Sequence, residues 1–188
     1  MQRNLKLYFQ YILFGVSHLY LDHSVRDQKD VFVVVPKNVL YFTVLHIRLS
    51  SLFSTSQLVD IFAYELPVLL DSKIQTLTSS NAILVYNFHN LTFHERFFFF
   101  CVDFITPSNY ASINSIRELY PNAWWLEREV SELHGYCFSN KKDLRNLMLQ
   151  YGDTSAPFRK AYPSLGTREF FYDTVNDQLV QRTVTTQL

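Results

Sequence analysis

Five residues with side chains capable of chemistry crowd the stretch "PNAWWLEREVSELHGYCFSNKKDLR" (121–145): Glu127, Glu129, Glu132, His134 and Cys137. Two carboxylates could divide general-acid and general-base work, provided their surroundings drive their pKa values apart. An imidazole next to a thiol could form a base–nucleophile pair. Glu132, His134 and Cys137 could in principle ligate zinc, but their spacing matches none of the recurrent zinc patterns. His134 and Cys137 also straddle Gly135, which as a helix terminator leaves their side chains no common direction. Charge placement offers a plainer reading. Glu127 and Glu129 fall in the N-terminal half of a helix, His134 at its C-terminal end, each where the macrodipole favours its charge. Arg128 and Glu132 stand four apart on one face.

The helix that would carry these residues runs from Ala123 to His134. Asn122 suits its N-cap and Gly135 its left-handed C′ position. Upstream, "VFVVV" (31–35) reads as a strand, and Pro36 opens a helix over "NVLYFTVLHIRLSSLF", with Val39, Leu40, Val44, Ile47 and Leu49 facing a core. "QLVDIFAYEL" (57–66) reads as a second strand. "AILVYNF" (82–88) and "RFFFFCVDF" (96–104) read as a hairpin turning near Asn90. Residues 71–81 read as a loop, and 106–119 as a turn followed by a short helix. Residues 1–22 carry apolar positions at helical spacing and 22–30 form a polar linker. "KKDLRNLMLQYG" fits one more short helix. The elements add up to an α/β (α+β) fold, a small mixed sheet with helices packed on it. Three parts follow: an N-terminal extension (1–30), the α/β domain (31–135) and an extended C-terminal arm (136–188).

That arm shows no sustained period. Pro157, Pro163 and Gly166 interrupt it, while Tyr151, Phe158, Tyr162, Phe170, Phe171 and Tyr172 stud it. It is too polar to build a core and too aromatic to be left in water, which points to docking on a partner. Beyond Tyr151 the chain is expected to take its shape from that neighbour.

The whole chain excludes several classes. Its 188 residues balance 17 basic against 17 acidic side chains, so there is no electrostatic footprint for nucleic acid. Cys101 and Cys137, its two cysteines, cannot supply an all-cysteine metal site or a disulfide framework. No dinucleotide or phosphate-loop motif occurs. The apolar segment 7–21 is too short for a bilayer span. With 17 Phe and 12 Tyr but 4 Gly, the chain has more rings than a monomer of this size readily hides.

In order along the chain stand "ERE..EL" (127–133), "G..F" (135–138), "K..LR" (141–145), "YG" (151–152), "P.RK.YP..G" (157–166) and "E..YD" (169–173). With weaker upstream counterparts, this series resembles the thirty-kilodalton subunit of respiratory complex I, the proton-pumping NADH:ubiquinone oxidoreductase. In mitochondria this is subunit nine, in bacteria the C-subunit. The resemblance covers about residues 31–173. His134, Ala156 and Ala161 depart from the family's usual residues. The resemblance implies a non-catalytic scaffold of the peripheral arm, with no flavin, cluster, metal or quinone-reducing residue of its own; neighbouring subunits carry flavin and iron–sulfur clusters. It implies that the large quinone-pocket subunit and other peripheral-arm subunits are the partners. The expected place is the matrix side of the inner mitochondrial membrane, the organellar choice resting on the aromatic-rich, glycine-poor composition. Carried over residue by residue, Glu127, Arg128, Glu129, Glu132, Arg145, Pro157, Arg159, Lys160, Pro163 and Gly166 are the interface candidates. The alternatives are the equivalent subunit of a related membrane-bound hydrogenase, and a free-standing hydrolase using Glu129, Glu132 and His134.

Overall fold

A computed structural model describes residues 31–65, 81–92, 94–104 and 112–184. The expected N-terminal helix, the linker after it and the loop over 71–80 lie outside the described residues.

Four strands form the central sheet: β1 (Val31–Val35), β2 (Ser56–Glu65), β3 (Asn81–Asn90) and β4 (Glu95–Phe104), in the spatial order β1-β4-β3-β2. The hairpin β3–β4 and the β2–β3 pair are antiparallel; β1 lies parallel to β4, Val31 opposite Phe97. One face of this mixed sheet carries Val33, Val35, Leu84, Tyr86, Phe88, Phe97, Phe99 and Cys101, all buried. Rings fill the centre: Phe88 stacks on Phe97 at 5.2 Å, and Phe53 meets Phe97 edge-on at 5.6 Å. Such contacts add to the burial of large side chains.

Helix α1 (Leu40–Leu49) links β1 to β2 and packs Leu40, Thr43, Val44 and Ile47 onto that face. It begins later than Pro36 suggests, because residues 37–39 form a turn closed by the Val39 N–H donating to the Pro36 carbonyl. Leu49, expected in the core, is 75% exposed. Two residues beyond Ile47 is about 200° around a helix, so both cannot face inward.

In β2 the alternation breaks between Leu58 and Asp60, where a bulge adds a residue. Leu58 and Ile61 thus both point inward although they are three apart. Polar groups meet the bulge: Asp60 Oδ1 accepts its neighbour's N–H, from Ile61 at 2.8 Å, and the Leu58 carbonyl accepts Nδ2 of Asn122 at 2.6 Å. Asn122 therefore does not cap the next helix with its side chain, as its type suggests; it ties that helix to the sheet.

Helix α2 (Ala123–His134) follows β5 (Ile113–Asn114) and a short turn over 117–119 that replaces the expected helix. It exits through Gly135 and returns as β6 (Phe138–Ser139), parallel to β5. Tyr136 and Phe138 belong to the core, so the body extends past residue 135. Residues 140–166 have no helix or strand. The chain ends in a separate antiparallel ribbon, β7 (Arg168–Asp173) with β8 (Gln178–Thr183), where no periodic structure is expected from the sequence.

Candidate functional site

Ala123, Val130 and Leu133 bury the apolar stripe of α2, beside an acid and a base that are also buried, Glu127 and Arg128. Gly135 ends the helix at φ +72°. There a Cβ would stand 2.5 Å from Nη2 of Arg159, so glycine answers both a left-handed backbone and a close approach. Arg159 lies over this terminus because its Nε donates to the His134 carbonyl at 2.8 Å and its Nη2 to the Gly135 carbonyl at 3.0 Å. A guanidinium thus satisfies carbonyls that the helix end leaves open and meets the negative end of its dipole. The Phe158 N–H donates to the Leu133 carbonyl at 3.0 Å, adding a backbone tie.

The other polar residues of the helix also turn inward on this chain. Glu127 is wholly buried; its Oε2 accepts the Ser115 hydroxyl at 2.6 Å and its Oε1 the Ile116 N–H at 2.9 Å. Burial pushes its carboxyl pKa up, and those two hydrogen bonds oppose the shift. Arg128 donates Nε to the Arg145 carbonyl at 2.9 Å and Nη2 to the Asn146 carbonyl at 3.3 Å, with Asp143 3.7 Å from Nη1. Glu132 accepts three consecutive backbone N–H groups, those of Leu147, Met148 and Leu149.

These contacts explain why 141–152 is not the helix its composition suggests. In a helix the carbonyls and N–H groups of residues 145–149 would pair along the backbone. Here Arg128 takes the carbonyls and Glu132 the N–H groups, and the segment follows the shape of α2. Asp143 adds a local turn, accepting the N–H of Arg145 at 3.1 Å and both Nε and Nη2 of its guanidinium at 3.0 and 2.9 Å. The hydrogen bonds from Arg145 hold the Asp143 carboxyl well below the usual carboxylate range.

A cavity of about 220 Å³ separates α2 from this segment; Ser131, Tyr136, Cys137 and Lys141 are among its lining. Burial lowers Lys141 to about 8, with Arg128 lowering it further and Glu127 and Asp143 opposing. Among the described residues, no hydrogen bond joins Glu129, Glu132, His134 and Cys137. Glu132 is committed to backbone, and His134 packs edge-on to Phe158 at 5.4 Å. Burial lowers the His134 pKa, with Arg159 lowering it further and Glu65 raising it. No group of three or more His, Cys, Asp or Glu among the described residues could hold a metal.

The ten candidate interface residues therefore divide. Glu127 is fully buried and Arg128 buried, and Arg128, like the half-buried Glu132 and Arg159, hydrogen-bonds backbone of this chain. Arg145, Lys160 and Pro163 are exposed, and Glu129, Pro157 and Gly166 half-buried. The Lys160 N–H donates to Glu65 at 3.0 Å, a further tie back to β2. Tyr151 and Phe158, singled out among the arm's aromatics, are 75% and 61% exposed, and two apolar positions the sequence did not single out also face outward, Leu144 at 73% and Met148 at 61%. A signal existed in "LRNLML", where apolar residues flank polar ones with no partner for them in the nearby core.

The model of the family "Respiratory-chain NADH dehydrogenase, 30 Kd subunit" matches residues 33–168, well over half of the chain. The chain belongs to that family. Among its relatives, NADH-ubiquinone oxidoreductase subunit 9 of Paramecium primaurelia is 35% identical over 121 residues, covering 63% of this chain and 55% of that protein. The NADH-quinone oxidoreductase C-subunit of Rhodobacter capsulatus is 44% identical over 70 residues, 37% of this chain and 35% of the relative. The chain thus spans about half, or less, of the length of these relatives. The fold is shared with a chain of the membrane-bound sulfane sulfur reductase, an archaeal respiratory membrane complex. That likeness has a TM-score of 0.56 at 18% identity and covers 86% of this chain and 83% of that one. No helix among the described residues is long and apolar enough to cross a membrane.

Proposed function

We propose that this member of the family is a non-catalytic structural subunit of the peripheral arm of a proton-pumping NADH:ubiquinone oxidoreductase. Its place is the matrix side of the inner mitochondrial membrane, and its main neighbour is the large subunit that shapes the quinone pocket. Flavin and iron–sulfur clusters belong to other subunits. The reading rests above all on how α2, and Arg159 seated on its C-terminal end, use their polar side chains. Arg128, Glu132 and Arg159, which an enzyme would aim at a substrate, hold the chain's own backbone. They pre-shape residues 141–159 so that Leu144, Met148, Tyr151 and Phe158 face outward. A surface arranged before binding loses less ordering entropy on association. In this reading the signature residues act on the partner through the segment they position, and Arg145, Lys160 and Pro163 contribute at its rim.

The test is native purification of the endogenous protein, with mass spectrometry and metal analysis of whatever travels with it. The expected result is a large membrane-associated assembly containing flavin and iron–sulfur clusters. Nickel in that assembly would identify a hydrogenase relative instead. A free monomer that hydrolyses a substrate, losing turnover on Glu129→Gln, would overturn the scaffold reading.

A further inference from the structure

The side chains of Cys137 and Lys141 take no part in the ties between α2 and the segment it shapes, yet both line the cavity of about 220 Å³ between them. Cys137 stands just before β6, and its thiol is free and exposed. Asn140, left-handed at φ +61°, turns the chain after β6 and carries Lys141 back, so that its Nζ lies 5.3 Å from the Phe138 ring centre. The ring face attracts a cation. No oxygen takes the amine's protons: among the described residues the half-buried Lys141 makes no hydrogen bond and no ion pair.

The other charged groups at the cavity are committed. Arg128 and Arg145 are held by carbonyls and by Asp143. Glu132 accepts backbone N–H groups, and Asp153 accepts that of Ser155. A thiol and an amine, two nucleophiles four residues apart, stay unengaged at one cavity. With its pKa lowered to about 8, chiefly by burial, the amine is about half neutral at pH 8, where an ordinary lysine is less than about 1% neutral. Only the neutral amine carries the lone pair that attacks a carbonyl.

We propose that this cavity is an acylation site, in which Cys137 takes a small acyl group from a thioester of the coenzyme A type and passes it to Lys141. In the first step the Cys137 sulfur attacks the thioester carbonyl; a new C–S bond forms, the old one breaks, and the carrier leaves as its thiol. In the second, the Lys141 amine attacks the acyl carbon on Cys137. A C–N bond forms, the C–S bond breaks, and the amine's proton passes to sulfur. Cys137 returns as a thiol, Lys141 carries an uncharged amide, and nothing is oxidised or reduced. The cavity has room for an acyl group of a few carbons, a water's share of liquid volume being about 30 Å³, while the carrier stays outside. The lysine's flexible stem lets the amine reach the sulfur, and holding both groups at one cavity makes the transfer intramolecular. The proposal stands apart from the subunit reading, since it needs only the folded chain and a thioester.

The test incubates the full chain with acetyl-coenzyme A at pH 8 and follows each lysine and cysteine by peptide mass spectrometry. Lys141 should be acetylated at least about ten times faster than its exposed neighbour Lys142. Cys137→Ser should slow Lys141 at least about tenfold and leave Lys142 unchanged. In Lys141→Arg the acetyl group should remain on Cys137 as a thioester that neutral hydroxylamine removes, with none on the buried Cys101. Hydrogen exchange of β3 and β4 checks that the body is folded in each variant, and Cys137→Ala replaces Cys137→Ser if it is not. Acetylation of Lys141 no faster than of Lys142 would overturn the proposal. So would equal rates at Lys141 with and without the thiol, or a thioester on Cys137 of the wild-type chain that never reaches Lys141.

Discussion

Replacing Glu132 by alanine isolates the link between α2 and the segment it shapes. The carboxylate accepts the N–H groups of Leu147, Met148 and Leu149, and no other described side chain takes them. A hydrogen bond to a charged acceptor contributes about 1.5–3 kcal/mol. Met148 is exposed, so water replaces its bond at little cost, whereas Leu147 and Leu149 are half-buried. Counting those two, with some relaxation, Glu132→Ala should cost about 2–4 kcal/mol of local docking. At about 1.4 kcal/mol per tenfold, opening of residues 145–149 becomes roughly 30- to 1000-fold more frequent. Glu132→Gln should fall between, since its single amide oxygen can accept only part of the set. Global stability should move far less, because Ala123, Val130 and Leu133 still anchor the helix. Hydrogen exchange reads both levels at once: protection should fall at 147–149 and persist in β3 and β4. Unchanged exchange at those three amides in Glu132→Ala would refute the claim that this carboxylate holds the segment.

Two further outcomes follow from the same region. Gly135→Ala places a Cβ in a left-handed backbone and against Nη2 of Arg159; it should destabilise by about 1–3 kcal/mol in urea unfolding and raise exchange at Phe158. His134 is held below 6.5 chiefly by burial, so the unfolded chain binds its proton more readily. Its contribution is complete above pH 6.5 and declines as pH falls below that value; His134→Asn should flatten the slope of unfolding free energy between pH 6.5 and 5. A wild-type slope matching the variant's would show that His134 does not titrate in that sense.

What could be read from the residues was what local chemistry decides. β3 and β4 are long β-prone runs with a short turn, and α2 carries a periodic stripe with a glycine stop, so both stand where expected. The bulge in β2 was not legible, because it depends on the partner strand. The helix expected over 141–152 failed because its backbone partners are side chains more than ten residues upstream. The ribbon was missed because "EFFYD" runs its aromatics together, masking a period of two, and because the turn at 174–177 carries no Asn-Gly or Asp-Gly pair. The polar residues of α2 stand out in the sequence, but the backbone targets that Arg128 and Glu132 take within the chain do not. Residue type and spacing cannot distinguish an arginine that grips its own chain from one that grips another.

The parallel seating of β1 beside β4 bears on how this chain is made. Val31–Val35 finds no place in the sheet until Phe97–Cys101 has been synthesised and paired with β3. On a ribosome extending by roughly 5–20 residues per second, that valine-rich strand waits several seconds. During that interval it is a bare edge able to recruit any unpaired backbone nearby. Slow closure of so distant a pair predicts that newly made chains need shielding by a chaperone, and that misassembly starts at this strand.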